Sequence, residues 1–221
     1  MIVSASNTHP AATNLEASVS MRCPACRQVG TFDRVYFSGQ PNLTDVQISS
    51  GQTQAVSGLR LCPNRVCRVL VFFIWDRSKG RLAATYPAER LDFDSTNIPA
   101  SITKTLEEAI SCHANECFIA SAIMVRKTLE ELCHVQGAAG PNLKERIKAL
   151  GTKVLLPPEL LDGLDDLRLL GNDAAHIESQ EFNNVGKEEV EIGIEFAKEV
   201  LKAVYQYSGL LARLRSLKRS P

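Results

Sequence analysis

Two closely spaced pairs of cysteines in the first third of the chain constrain its fold more than any other feature. Cys23 and Cys26 are separated by two residues, and Cys62 and Cys67 are separated by four. Each spacing allows a tight turn to direct two thiolates at one ion, and two such turns complete the tetrahedron that a structural zinc prefers. The four thiols could instead simply be buried, but the spacing favours one structural Zn²⁺ per chain bound by these residues.

The start of the chain lacks the features of a secretory signal. Residues 1–20 contain neither a basic segment nor a continuous apolar segment, so we interpret them as a flexible polar leader. Seven cysteines in a chain of this kind fit a reducing compartment, where closely paired cysteines bind metal more often than they form disulfides. No apolar run approaches the roughly 18 residues that span a bilayer. We therefore expect a cytoplasmic protein with no membrane partner.

Strand-like segments surround the cysteine pairs. The segments "TFDRVYF" (31–37) and "GLRL" (58–61) are typical of strands, and the polar residues between them, 38–57, are interpreted as a long loop. The apolar segment "VLVFFIW" (69–75) is rich in β-branched and aromatic residues and predicts a buried strand. Together these elements predict a small N-terminal zinc ribbon with short antiparallel strands over residues 21–92.

Charge is distributed unevenly, although the net charge is zero. Residues 21–90 contain ten lysines and arginines against four acidic residues, whereas residues 91–208 contain eleven against twenty. The last thirteen residues add four basic residues and no acid: Arg213, Arg215, Lys218 and Arg219. Basic segments at both ends permit contact with RNA or DNA, although charge runs are also common on surfaces that only face solvent.

From Pro99 onward the hydrophobic period changes from 2 to about 3.6 residues, which predicts helices. The segment 116–135 is apolar over most of its circumference, so we expect it to be the central helix of a bundle. Further helices are predicted from Asn142 to Gly151, from about Pro158 onward, and over about 187–217, the last with apolar positions from Val190 to Leu211. The predicted fold class is α+β, with the ribbon followed by an α-helical bundle at 93–217 and a basic tail at 218–221.

Two charged residues interrupt the apolar central helix. Arg126 and Glu130 are four residues apart and share a stripe with Ile119 and Ile123. A pair in that position either extends to solvent at a helix edge or is buried as matched charges near a site. The sequence leaves both alternatives open.

The segment "RLLGNDAAH" (168–176) places Arg168, Asn172 and His176 at four-residue intervals. On a continuous helix these side chains fall within an arc of about 80°, next to Gly171, where another helix can approach closely. In the alternative interpretation, Gly171 ends one helix and Asn172 or Asp173 caps the next. The first interpretation predicts a polar site at a helix contact, and the second predicts only a helix boundary.

The order of motifs in the helical region resembles the bacterial domain-of-unknown-function family 4145, which is often found beside or within restriction-endonuclease subunits. The resemblance runs from "EEAISCHANECFIASAIMVRKTLEELC" through "NLKERIKALG" to "LRLLGNDAAH" and, with the cysteine-paired ribbon before them, covers about residues 21–207. The positions that carry it are Glu108, Ala109, Arg126, Glu130, Asn142, Leu143, Arg168, Gly171, Asn172 and His176.

That family looks related to the HEPN helical domains, small bundles that dimerise and include metal-independent ribonucleases of toxin and phage-defence systems. The resemblance implies a HEPN-like bundle, a homodimer formed through it, and a restriction or defence-system protein as a possible partner. In the HEPN enzymes an arginine and a histidine separated by four to six residues meet at the dimer interface. Here seven residues separate Arg168 from His176.

Two functions follow as expectations. The first is a zinc-containing nucleic-acid-binding or adaptor protein of a defence or restriction-type system, which the seven-residue spacing favours. The alternative is a metal-independent endoribonuclease in which His176 moves a proton, Arg168 stabilises the phosphate charge and Asn172 orients a hydrogen bond. Arg126 and Glu130 would support that site.

Overall fold

The computed structural model describes residues 3–4, 19–38, 40–41, 43–48, 53–175 and 185–217. The chain divides into two compact units, Met1–Glu89 and Arg90–Pro221. The described residues form an antiparallel sheet in the first unit and six α-helices in the second, so the protein is α+β. The predicted leader lies outside the described residues except at its two ends, and the predicted tail at 218–221 lies entirely outside them.

Nine strands are described in the first unit. They are β1 Val3–Ser4, β2 Val19–Arg22, β3 Val29–Arg34, β4 Tyr36–Phe37, β5 Gln40–Pro41, β6 Leu43–Ile48, β7 Thr53–Leu61, β8 Leu70–Asp76 and β9 Arg81–Tyr86. Strand β7 organises the sheet: one of its edges pairs first with β6 and then with β3, and the other edge pairs with β8. Strand β2 extends the sheet beyond β3, β9 extends it beyond β8, and β4 and β5 form a separate small hairpin.

The loop predicted over 38–57 is wrong, because β6 and the first half of β7 form a hairpin there. Few residues of this segment are apolar, but Leu43 and Val46 on β6 and Val56 on β7 are buried. Neighbouring strands on both sides of β7 supply the remaining backbone partners, and such tertiary pairing overrides weak local propensity. An ion pair of 2.6 Å joins Asp45 of β6 to Arg77, which directly follows β8, and also holds the hairpin in place.

Both described ends of the predicted leader belong to strands. Val19 is fully buried and begins β2, and it pairs with Phe32 of β3. Val3 pairs with Ile48 of β6. The prediction of a flexible leader is therefore wrong at residues 3–4 and 19–20, where backbone pairing with the sheet fixes the chain.

The helices of the second unit largely follow the predicted pattern. They are α1 Ala100–Ala114, α2 Phe118–Val135, α3 Leu143–Leu150, α4 Pro158–Ala175, α5 Lys187–Leu201 and α6 Tyr207–Ser216. Helix α2 packs against α1, α4 and α5, which confirms its central position. Asn142 caps α3, because its side chain accepts a hydrogen bond of 3.0 Å from the backbone N–H of Glu145. None of the described helices is sufficiently long and apolar to cross a bilayer.

Two details differ from the predicted helices. Helix α4 continues through Gly171 to Ala175, so the interpretation of Gly171 as a helix end is wrong. The last predicted helix is divided by a π-helical turn, Lys202–Gln206, between α5 and α6. Val190 is buried as predicted, whereas Leu211, beyond the π-helical turn, is exposed.

Candidate functional site

Four cysteine sulfurs converge in the first unit. Cys23 and Cys26 lie in the turn between β2 and β3, and Cys62 and Cys67 lie in the turn between β7 and β8. The four sulfur atoms all lie within 4.8 Å of one another. The Sγ atoms of Cys23 and Cys67 are 3.7 Å apart, as are those of Cys26 and Cys62. The predicted grouping of these four residues is confirmed.

The sulfur spacing suits a tetrahedral metal and not a disulfide. A disulfide holds two sulfurs at about 2.05 Å, and all four cysteines are free. Zinc–sulfur bonds of about 2.3 Å place the corners of a tetrahedron about 3.8 Å apart, close to the 3.7 Å separations observed here. The cluster is therefore compatible with a metal such as zinc.

The two turns that carry the cysteines share one backbone design. In each turn the residue after the second cysteine has a positive φ angle, 66° at Arg27 and 47° at Arg68. The backbone N–H of Cys23 donates to the carbonyl of Gln28 at 2.9 Å, and the N–H of Cys62 donates to the carbonyl of Val69 at the same distance. These bonds close each turn so that both of its sulfurs face the same point.

Hydrogen bonds and burial shift the pKa values of the cluster thiols in opposite directions. The backbone N–H of Gln28 lowers the pKa of Cys26 to about 7, because it stabilises the thiolate. Burial raises the pKa of Cys62 to about 12. Binding of a divalent cation offsets the cost of a buried thiolate, so this donor set fits a metal better than four free thiols.

Arginines surround the four-cysteine cluster. Arg65 is exposed at the tip of the second turn, beside Val66, which is 96% exposed. Arg68 forms an ion pair of 2.7 Å with Asp33, and Arg22 lies 3.8 Å from Glu89. Arg27 belongs to the same group by its position after Cys26. Each of these arginines lies within two residues of a cluster cysteine in the sequence, and the convergence of the four sulfurs brings the two turns that carry them together.

Three of the predicted polar residues of the helical unit, Arg126, Glu130 and Arg168, meet where α2 crosses α4. The Arg126 guanidinium donates a 3.3 Å hydrogen bond to the backbone carbonyl of Arg168, and its Nε atom lies 3.6 Å from a carboxylate oxygen of Glu130. A Cβ atom placed on Gly171 would lie only 2.4 Å from the Cβ of Arg126. Gly171 therefore permits the close helix approach that the sequence indicated.

The guanidinium of Arg168 already has a carboxylate partner. Its Nε atom donates a 2.6 Å hydrogen bond to Asp165, one turn earlier on α4, and the Arg168 side chain is only 14% exposed. This bond is the main reason that the pKa of Asp165 lies below its usual value. Asp165 was not among the predicted site residues, although its position three residues before Arg168 is a recognisable helical pairing.

Of the two remaining predicted residues, Asn172 and His176, only Asn172 is among the described residues. Asn172 is half-buried on α4, one turn beyond Arg168. His176 lies outside the described residues, which end on this helix at Ala175. Arg126, Glu130 and the backbone of Arg168 are thus brought together.

A second surface feature lies on the last two helices. Exposed apolar side chains follow one another along α6 at helical spacing, with exposures from 45% at Tyr207 to 80% at Leu217: Tyr207, Leu210, Leu211, Leu214 and Leu217. On α5 a groove combines apolar and acidic side chains, among them Ile192, Phe196, Glu188, Glu191, Glu195 and Glu199. We call these two features the leucine stripe and the acidic groove.

Comparison with known families assigns the helical unit. The model of a domain of unknown function, DUF4145, matches residues 107–217, which is half of the chain. The protein belongs to the DUF4145 family. The sheet with its four cysteines lies outside the matched residues. Neither the curated proteins nor the solved structures contain a match to the chain.

Proposed function

We propose that the protein is a zinc-containing nucleic-acid-binding or adaptor protein that dimerises through a HEPN-like helical unit. In this proposal the sheet is a zinc ribbon and holds one structural Zn²⁺ through Cys23, Cys26, Cys62 and Cys67. A cytoplasmic role in a bacterial defence or restriction-type system fits the family resemblance. The observation that carries the proposal is the group of arginines around the four-cysteine cluster.

The arginine group suits the backbone of a nucleic acid. A metal at four thiolates leaves no open ligand position, so it stabilises the turns and takes no part in chemistry. The turns then hold Arg27, Arg65 and Arg68 on a rigid support, and arginine binds phosphate oxygens through paired hydrogen bonds. Arg68 would have to exchange its ion pair with Asp33 to make such a contact. The exposed Val66 beside Arg65 offers an apolar contact of the kind that bases or sugars use.

Binding of a fluorescent oligonucleotide, followed by anisotropy at several salt concentrations, tests the proposal. Single-stranded RNA, single-stranded DNA and duplex DNA are compared with the metal-loaded chain. We expect measurable affinity for one of them, with a negative slope of log affinity against log salt. Arg65→Gln is expected to weaken binding and reduce that slope, whereas Arg81→Gln, an exposed arginine of β9, is the matched control. No binding by the wild type would reject the nucleic-acid role.

The leucine stripe and the acidic groove support a homodimer. An exposed apolar stripe of this length is costly in water and is typical of an interface. Helix α6 also carries Arg213 and Arg215, which complement the glutamates of the acidic groove. Lys198 and Lys202 pair with Glu195 and Glu199, and Glu191 lies 3.7 Å from the imidazole of His113. Glu188 is the groove glutamate that has no ion pair among the described residues. In a symmetric pair, each copy would place its α6 on the α5 of the other, which is a self-complementary arrangement.

A metal-independent endoribonuclease is the second candidate. It is favoured by the unbroken α4, which places Arg168 and Asn172 one turn apart on the same helix face. It is disfavoured by the ion pair that engages Arg168 with Asp165, because that guanidinium would have to exchange partners to contact a phosphate.

An RNA cleavage assay tests this second candidate. The protein is incubated with RNA in a chelator that is too weak to remove the zinc, and the products are examined for 2′,3′-cyclic phosphate ends. Cyclic ends that disappear in His176→Ala would support the nuclease, and products that persist in that variant would reject the assignment.

A further inference from the structure

A buried arginine in the sheet lacks a full set of hydrogen-bond partners. Arg60 on β7 is 1% exposed, and its guanidinium lies 4.8 Å from the ring centroid of Phe73 on β8. Its Nη1 atom donates a 3.0 Å hydrogen bond to the carbonyl oxygen of Leu59. Its Nη2 atom is buried and has no hydrogen-bond partner among the described residues. An unsatisfied buried donor is unfavourable, and a charged one more so.

A second arginine lies directly opposite the first. Arg34 of β3 pairs with Arg60 of β7 across the antiparallel ladder. Residues that face each other in this way have Cβ atoms about 5 Å apart, and like charges in such a pair repel. The two side chains together place about two positive charges at one position on the sheet.

The carboxylates of the first unit are engaged elsewhere. The described part of this unit contains four, and each pairs with a different cation: Asp33 with Arg68, Asp45 with Arg77, Asp76 with Lys79, and Glu89 with Arg22. Among the described residues, no carboxylate is in ion-pair contact with Arg34 or Arg60. The cysteine cluster does not supply the missing acceptor either, since the Nη2 atom of Arg60 has no hydrogen-bond partner among the described residues.

The geometry suits a phosphate group. The ring of Phe73 holds the Arg60 guanidinium in one orientation, and two guanidinium groups can together bind several oxygens of one phosphate. Arg34 is only partly buried, so the position borders the solvent. We propose that Arg34 and Arg60 form a phosphate-binding site. The inference that this phosphate is part of a nucleic-acid backbone rests on the function proposed above.

Titration with inorganic phosphate tests the site directly. Isothermal titration calorimetry is performed on the full metal-loaded chain, with chloride adjusted to keep the ionic strength constant. Arg34→Gln removes the less buried arginine and is expected to weaken phosphate binding about tenfold or more, as loss of a charge-assisted hydrogen bond does. The matched control, Arg81→Gln, removes an exposed arginine of the same sheet and is expected to change binding less than about twofold.

A second variant separates loss of the site from loss of the fold. Arg34→Lys keeps the charge but loses the planar fork, so it is expected to bind phosphate with intermediate affinity. The fluorescence of Trp75, the chain's one tryptophan, reports whether the sheet remains folded in each variant. Folded Arg34→Gln that binds phosphate as tightly as the wild type would overturn the site, as would a wild type that shows no phosphate binding.

Oligonucleotide binding distinguishes the site from the function on which its biological role rests. If the wild type and Arg34→Gln bind an oligonucleotide equally, and phosphate binding is also unchanged, the phosphate site is overturned while the nucleic-acid role stands. If Arg34→Gln loses phosphate binding but the wild type binds no oligonucleotide, the site stands and the nucleic-acid role is overturned. Parallel loss of both activities in Arg34→Gln supports the complete proposal.

Discussion

The backbone of Gly171 on α4 packs against the side chain of Arg126 on α2 where the two helices cross. A Cβ atom on residue 171 would lie 2.4 Å from the Cβ of Arg126. Real Cβ atoms do not approach one another so closely. The contact also positions Arg126 to donate its hydrogen bond to the Arg168 carbonyl. The absence of one side chain therefore determines how near these two helices can lie.

Replacing Gly171 with alanine is expected to destabilise the helical unit by about 1–3 kcal/mol, because the helices must move apart to accept the methyl group. The measurement is urea unfolding followed by circular dichroism at 222 nm. Gly209→Ala on α6 is the matched control, since a Cβ there meets its nearest atom at 3.6 Å. Alanine is expected to be neutral or stabilising by up to about 1 kcal/mol at that position. Equal effects of the two substitutions would contradict the close contact.

Removing one cysteine ligand is expected to release the metal and unfold the sheet. Cys62→Ser breaks the four-sulfur cluster, and structural zinc contributes on the order of 10 kcal/mol to folding in small zinc domains. Metal analysis is expected to fall from about one ion per chain to well below it, with a change in Trp75 fluorescence. Cys112→Ser on α1, outside the cluster, is the control and is expected to retain the metal. Equal metal content in the two variants would remove the basis for the site.

Introducing charge into the leucine stripe is expected to dissociate the proposed homodimer. The double variant Leu210→Glu/Leu214→Glu places two carboxylates on α6 where a partner's glutamates would face them, so like charges repel. Light scattering is expected to give the mass of a dimer for the wild type and of a monomer for the variant. Leu155→Glu is the control, because Leu155 is fully exposed and lies outside both α5 and α6. A wild-type mass of one chain at all concentrations would exclude the dimer.

The pair formed by Asp165 and Arg168 is expected to make the helical unit sensitive to acid. The hydrogen bond from Arg168 lowers the pKa of Asp165 in the folded chain. Its stabilising contribution is therefore complete above the unfolded pKa of about 3.9 and is lost as the pH falls through the lower folded value. Asp165→Asn is expected to cost less than about 1 kcal/mol at pH 7, as is usual for a partly exposed ion pair.

The measurement is the unfolding free energy of wild type and Asp165→Asn between pH 6 and pH 2. The difference between the two is expected to shrink as the pH falls. Because both proteins contain the same cysteines, release of metal in acid cancels in this comparison. Asp166→Asn, the exposed neighbour on α4, is the control. Parallel pH curves for wild type and Asp165→Asn would contradict the pairing.

The sequence predicted the parts of the fold whose signals are local. The spacing of four cysteines predicted their grouping, and apolar periodicity with cap residues predicted α3 from Asn142 to Gly151 almost to the residue. The hairpin of β6 and β7 was missed, because few of its own residues are apolar. The pairing of Arg34 with Arg60 was missed because it depends on the register between β3 and β7, which are not neighbours in the sequence.

In the helical site, periodicity predicted which residues share a face but not how each charge is satisfied. Arg168 and Asn172 do share one continuous helix. Whether the Arg168 guanidinium is free to bind a ligand depends on the carboxylates near it. Asp165 accepts a 2.6 Å hydrogen bond from Arg168 and so occupies its Nε atom. Side-chain rotamers decide that outcome, and the hydrophobic pattern contains no information about them.

The π-helical turn at Lys202–Gln206 changes the direction in which the side chains of α6 point. A π-helical turn accommodates about one more residue than an α-helical turn, and each residue of an α-helix advances by about 100°. The turn therefore rotates α6 relative to the buried side of α5. Without that rotation, the apolar side chains of α6 would continue the stripe that α5 buries in its own bundle. One extra residue of helical phase thus leaves the apolar side chains of α6 exposed instead of adding them to the core of the bundle.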